Sequence, residues 1–353
     1  MNSLRMSGLA AVLVAEGLSI CAAHGLAQDK NSATFDADGT VHLTRVLPPP
    51  ATVSPEAQKW LKSLTHGLPV AKTLEEERAR TDEWRVKQSA EALRLFPVKL
   101  ADAKIGGVRV NLITPMETPE ANRNRVLINL HGGGFVVDSG SMIEGIPVAN
   151  LAKIKVVSVY YRLAPENPFP AAVDDVVAVY KALLRTHKAK SIGIFGTSAG
   201  AVLTAAVAVR FRQLGLPLPG ALGFFSGLAD YSRVGESELM YALFGFPGEL
   251  AIVDPRHREP SPYAGKADLK DPVLSPLFAD LKGMPPTLLI TSTRDVLLSN
   301  TAIFHRALLA AGDEAELVVF EALPHAFWLQ FDFPETTECL GIMAKYFDRK
   351  LAH

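Results

Sequence analysis

The densest chemical signal in the chain is Gly196-Thr197-Ser198-Ala199-Gly200. It follows the β-branched, apolar run Ile192–Phe195 and opens a helix-length stretch of small residues, Ala199–Val209. A serine between strand and helix sits in a tight turn, and flanking glycines let neighbouring backbone approach where a Cβ would clash. The turn lifts the hydroxyl to the carboxyl edge of a sheet, at the positive end of the next helix, where it can attack a carbonyl carbon. A serine hydroxyl is a weak nucleophile unless a base adjoins it. Of nine histidines, His257, His305, His325 and His353 lie downstream, as the order serine, acid, histidine requires in a strand–serine–helix arrangement. His257 sits in a charged stretch, His305 inside a helical pattern and His353 at the end of the sequence. His325 follows the strand-like run Leu317–Phe320 in a loop and is the expected base. The expected acid is Asp295, at the end of the run Thr287–Thr291, with Asp313 and Glu321 as fallbacks. A carboxylate there would hold the imidazole tautomer and stabilise the imidazolium.

A fourth element, His131-Gly132-Gly133-Gly134-Phe135, comes directly after Val126–Leu130. Consecutive glycines expose backbone N–H groups, so Gly132 and Gly133, joined by Ala199, are expected to receive a developing oxyanion. A phosphate cradle is disfavoured, because neither a following Lys-Ser/Thr pair nor G-x-G-x-x-G spacing occurs. His131 is expected to position the loop. Phe135, Phe327 and Trp328 flank these residues and would wall a pocket, though ordinary core packing explains them equally well. No H-E-x-x-H, paired cysteines or calcium-loop spacing supports a metal.

The elements that must position these groups are legible as a rhythm. Short apolar runs at Val98–Ile105, Val108–Thr114, Val126–Leu130, Val156–Tyr161, Ile192–Phe195, Ala221–Phe225, Thr287–Thr291 and Leu317–Phe320 predict strands. From Val126 onward helix-length segments alternate with them: Ile146–Ala152, Ala171–Leu184, Ala199–Leu214, Asn300–Ala311 and Glu335–Leu351. Such alternation specifies an α/β fold, a mostly parallel sheet covered by helices on both faces. Asp230–Lys270 breaks the rhythm and reads as an insertion. Upstream, Ser54-Pro55 and Thr73 with Glu76 are helix starts. Residues 28–96 thus comprise a polar linker ending in Pro48-Pro49-Pro50 and two helices of a lid or packing layer, ahead of a catalytic region at 97–353.

The 353 residues carry 36 Lys+Arg against 37 Asp+Glu, and 48% are hydrophobic. That balance excludes an intrinsically disordered chain and lacks the basic excess nucleic acid would need. Two cysteines, Cys21 and Cys339, cannot make a disulfide scaffold. Residues 1–27 read as a secretory signal: Arg5, an apolar run from Gly8 blemished by Glu16, then Gly25-Leu26-Ala27 before Gln28. The stretch is too short and polar for a membrane span, and Ile20 is bulky for a lipid anchor at Cys21. The expected address is periplasmic or secreted.

These motifs, with Tyr161-Arg162-Leu163-Ala164-Pro165-Glu166, Pro170–Asp175 and Asp271-Pro272-Val273-Leu274-Ser275-Pro276, resemble the bacterial hormone-sensitive-lipase-like branch of the α/β-hydrolases. The resemblance runs from about Val98 to the carboxyl end. It implies an eight-stranded central sheet, a helical cap built from the N-terminal helices and 230–270, and a small-molecule carboxylic ester substrate with a short acyl chain. It also implies no metal or organic cofactor and a homodimer through a sheet edge. Two departures stand out: Thr197 where many members have aspartate, and Asp138 where the family often has glycine. Arg162, Glu166, Asp174, Asp175 and Asp271 read as structural ion pairs and loop anchors. An amidase, peptidase or lactonase would use the same constellation, whereas a non-catalytic binding protein would normally have lost one of its members. Protein recovered from a secreting host is expected to begin at Gln28 by terminal mass spectrometry; a terminus at Met1 or Asn2 would overturn the address.

Overall fold

The computed structural model describes residues 32–44, 46–64, 71–240, 243–244, 249–250 and 261–352. The signal segment, Cys21, His257 and His353 lie outside them, as does much of the 230–270 insertion. The chain divides into two compact units, 1–48 and 49–353. Where a polar linker is expected, the first unit holds an antiparallel hairpin of β1 (Ser32–Phe35) and β2 (Val41–Thr44). Its turn is made by Asp38-Gly39: Asp38 Oδ1 accepts the Thr40 N–H at 2.9 Å and Gly39 has φ +88°.

The second unit opens with α1 (Pro55–Ser63) and α2 (Leu74–Leu95). Ser54 and Thr73 cap them, accepting from the N–H of Ala57 and of Glu76, both at 3.1 Å. The Glu76 carboxylate reaches back to the Lys72 N–H at 2.8 Å, one residue before its expected partner. There follow β3 (Val98–Ile105), β4 (Val108–Pro115), β5 (Val126–Leu130), α3 (Gly145–Ala152), β6 (Lys155–Val159) and α4 (Ala171–Leu183). Next come β7 (Ile192–Thr197), α5 (Ala199–Gln213), β8 (Ala221–Phe225), the short α6 (Ser237–Met240) and the two-residue pair β9 (Leu243–Phe244) and β10 (Glu249–Leu250). The chain closes with β11 (Thr287–Arg294), α7 (Leu298–Ala310), β12 (Ala315–Pro324) and α8 (Pro334–Lys350).

Eight strands form one sheet in the order β12-β11-β8-β7-β5-β6-β4-β3. The six from β12 to β6 are parallel, and β4 runs antiparallel to both β6 and β3. Central strands β5, β7 and β8 are buried at every position, as a sheet covered on both faces demands. Apolar clusters fill both faces, with α4 and α5 in one and α3 and α8 in the other. α5 is apolar on nearly all sides and almost wholly buried, so its N-terminus is held rigidly behind Ser198.

Arg125 pins α8 to the start of β5. Its side chain is fully buried and donates to Asn122 Oδ1 at 3.0 Å, Asp348 Oδ1 at 2.9 Å and the Leu351 carbonyl at 2.6 Å. R125M removes a charge-assisted network and strands a buried carbonyl, so it is expected to lower stability by about 2–4 kcal/mol. Urea melts measure that loss, and turnover per folded molecule should stay unchanged.

Candidate active site

Ser198 joins β7 to α5 with φ +59° and ψ −120°. Its N–H donates to the Phe225 carbonyl at 2.9 Å, and its carbonyl accepts from Ala201 and Val202 at 3.0 and 3.1 Å. Gly196 and Gly200 are required by approach: a Cβ at either would come within 2.3 Å and 1.8 Å of the Leu130 carbonyl oxygen.

His325 and Asp295 meet at the ends of β12 and β11. The imidazole Nδ1 lies 2.9 Å from Asp295 Oδ1. Burial pushes the Asp295 carboxyl up, but the charge of His325 and hydrogen bonds from His325, Ser226 and the Leu297 N–H outweigh it, leaving the carboxyl below its ordinary value. Thr291 Oγ1 also donates to Asp295 Oδ2, at 2.7 Å. Of the fallback acids, Asp313 Oδ1 accepts the Gly283 N–H at 2.7 Å and Glu321 faces Thr293; neither is within the contacts of His325.

A cavity of about 450 Å³ has Ser198, His325, His131, Gly132 and Gly133 in its wall. Ala199 follows Ser198 as the first residue of α5, where N–H groups have no intrahelical acceptor. The glycine loop is held by its carbonyls, the Tyr161 hydroxyl lying 2.7 Å from the His131 carbonyl. His131 stacks on Tyr161 with centroids 4.0 Å apart, and burial drives its imidazole down to about 4, so it is neutral at physiological pH. Asp138 takes φ +70° and accepts the Ser141 N–H at 2.8 Å. Burial, opposed by Arg85, pushes its carboxyl up to about 8.

Phe135, Phe327 and Trp328 do not wall this cavity; they lie in the core. Phe135 stacks on Tyr263 at 3.5 Å, Phe327 packs against Phe320 and Phe333, and the Trp328 indole N–H donates to Thr197 Oγ1 at 2.9 Å. The apolar walls are instead Trp84 of α2, Val136, Val137 and Leu329. α2 is tied to the glycine loop through Arg78, whose Nε donates to the Val136 carbonyl at 2.8 Å while its other nitrogens grip Glu166. Asp82 accepts from Ser139 Oγ at 2.8 Å. Arg162 pairs with Asp175 at 2.9 Å, and Asp271 Oδ1 accepts the Val273 N–H at 2.8 Å.

A model of the alpha/beta hydrolase fold matches residues 127–329. The chain belongs to the α/β-hydrolase family. An esterase of Acinetobacter venetianus is 30% identical over 269 residues, 72% of this chain and 84% of that one. An acetyl-hydrolase of Streptomyces hygroscopicus is 31% identical over 65% of this chain and 77% of its own. Among solved structures, an esterase superposes with TM-score 0.74 at 33% identity, covering 87% of this chain and 97% of that chain. One from the bacterial hormone-sensitive lipase family superposes with TM-score 0.72 at 27% identity, covering 84% and 98%. This α/β-hydrolase is a carboxylic ester hydrolase of the hormone-sensitive-lipase-like kind.

Sequence reasoning missed Ser226, which follows β8 with φ +51°. Its hydroxyl donates to Asp295 Oδ2, and its Oγ lies 2.6 Å from His325 Nδ1. Only its place at a strand end, between the serine turn and the acid, could have drawn notice. S226A removes one donor from Asp295 and one contact that orients the imidazole, so kcat on p-nitrophenyl acetate is expected to fall about tenfold with KM little changed.

Proposed function

We propose that the chain is a serine carboxylesterase acting on short-chain esters through an acyl-enzyme. Ser198 Oγ attacks the ester carbonyl carbon while His325 takes its proton. Asp295 orients the imidazole and stabilises its cation. The oxyanion of the tetrahedral intermediate is received by the N–H groups of Gly132, Gly133 and Ala199, the last aided by the positive end of α5. Collapse breaks the bond to the alcohol oxygen, which leaves with the proton from His325. Water, deprotonated by His325, then attacks the acyl carbon; collapse breaks the bond to Ser198 Oγ, which takes that proton back from His325 as the acid leaves.

The single observation that carries the reading is a strained serine turn on the same cavity wall as an imidazole bonded at 2.9 Å to a buried carboxylate. Short acyl chains are favoured by a cavity of about 450 Å³ and by a relative named acetyl-hydrolase. Export directed by residues 1–27 is part of the proposal, resting on their signal-like pattern.

S198A is expected to lose at least about 10³-fold of kcat on p-nitrophenyl acetate, because one triad member disables the unit. Its melting temperature should be close to that of the wild type. Retained turnover would overturn the assignment, as would failure of a fluorophosphonate probe to label Ser198 in the active enzyme.

A further inference from the structure

Glu144 is a buried acid that the proposed hydrolysis leaves unused. It immediately precedes α3, is 4% exposed and lines the cavity that holds Ser198 and His325. Thr197 Oγ1 donates to its Oε2, and the Asn129 amide donates to its Oε1 at 2.7 Å. Thr197 Oγ1 in turn accepts the Trp328 indole N–H at 2.9 Å. Thr197 adjoins the nucleophile, Trp328 follows shortly after His325, and Asn129 leads into the glycine loop. One carboxyl therefore takes donors from the serine turn and from the strand beneath the oxyanion loop, and is linked to the histidine turn through Thr197.

We infer that Glu144 is a positioning residue for ester hydrolysis, fixing the serine turn against the histidine turn through Thr197. The inference rests on the reading of Ser198 as nucleophile and His325 as base. Glu144 acts through Thr197 rather than on the reacting atoms. Thr197 and Asn129 each donate to a different oxygen of Glu144, and the ionised form accepts both most strongly because neither oxygen carries a hydrogen of its own. Protonation puts a hydrogen on one of these oxygens, which then accepts from Thr197 or Asn129 more weakly and sets its own O–H against that donor. The network is thus strongest when the carboxyl is charged.

Burial works against that charge. It pushes the Glu144 carboxyl up to about 7, although hydrogen bonds from Thr197, Asn129 and Trp328 pull the other way. The titratable groups around it are His131 and Asp138 of the glycine loop, Tyr161 beyond β6, Cys339 of α8 and His325 across the cavity. Burial, with the charge of Glu144 adding, raises both the Tyr161 hydroxyl and the Cys339 thiol, so both stay neutral beside it. Relative to its ordinary value of 4.5, folded Glu144 holds its proton to higher pH. The stability linked to it is complete below about 4.5 and lost as pH rises through about 7. Rate and stability accordingly move in opposite directions across this window.

The test compares wild type, Glu144→Gln and Thr197→Val as full chains, with kcat and KM on p-nitrophenyl acetate from about pH 5.5 to about pH 9. Near pH 8.5 both variants are expected to lose about tenfold in kcat with KM within about twofold, and the double variant should lose no more than either single. The wild-type to Glu144→Gln rate ratio should decay toward unity as pH falls through about 7, where the native acid becomes neutral like the amide. Over the same range, melting temperature should fall with rising pH more in the wild type than in Glu144→Gln. A ratio flat in pH, or full kcat with only a lowered melting temperature, overturns the inference while leaving the hydrolysis reading intact. If Glu144→Gln does not fold, undiminished kcat in Thr197→Val overturns it alone. A wild type inert toward the ester would sink the underlying reading first.

Discussion

A backbone held where side-chain-bearing residues rarely sit governs the rest of this molecule. Ser198 at φ +59° and ψ −120° stores on the order of 1–3 kcal/mol that surrounding contacts must hold in place. The hold comes from three sides: the Phe225 carbonyl of the neighbouring strand, the first turn of α5, and the Leu130 carbonyl pressed against Gly196 and Gly200. No residue larger than glycine fits at those two positions, because the obstructing atom is backbone of β5 and cannot swing away. β5 is itself locked between β6 and β7, fully buried. The strain is thus supported by the middle of the sheet, where opening requires unfolding on both faces.

That rigid centre sets three carboxyls to different purposes. Asp295 is buried, yet its ionised form is favoured because a chargeable imidazole and several O–H and N–H donors converge on it. Glu144 and Asp138 are also buried, but their partners are mainly neutral donors or, for Asp138, an Arg85 nitrogen 3.9 Å away. Burial wins for these two. Hydrogen-bond number alone does not decide the outcome: Glu144 accepts from both Thr197 and Asn129 and is still pushed up. An opposing charge in direct contact is what separates Asp295 from the others.

Much of this was legible in the sequence because chemistry and topology share the same punctuation. Ser198, Asp295 and His325 each follow an apolar run that is a parallel strand, so strand ends, turns and candidate groups could be read together. What escaped depends on separation along the chain. Ser226 reaches Asp295 and His325 across 69 and 99 residues, and Trp328 reaches Thr197 across 131. Phe135, Phe327 and Trp328 misled through adjacency, since a residue next to a functional group points wherever its backbone angle sends it. Phe135, at φ +66°, turns into the stack with Tyr263. The pocket wall from α2 was invisible for the same reason, as Trp84 lies more than a hundred residues from Ser198.

α2 also differs from the sheet in what holds it. Of its 22 residues only Ser89 and Ala92 are buried, and Val86 is 61% exposed. Its grip on the glycine loop runs through Arg78, Asp82 and Ser139, polar bonds that water and salt can compete for. The reacting groups, by contrast, are anchored on buried strand ends. Substrate-shaping wall and chemical machinery are consequently secured by different forces, apolar burial for the second and polar latching for the first. Substitutions on α2 can therefore reshape the cavity at Trp84 and Arg80 without disturbing the Ser198 turn, because none of the bonds that hold that turn comes from α2.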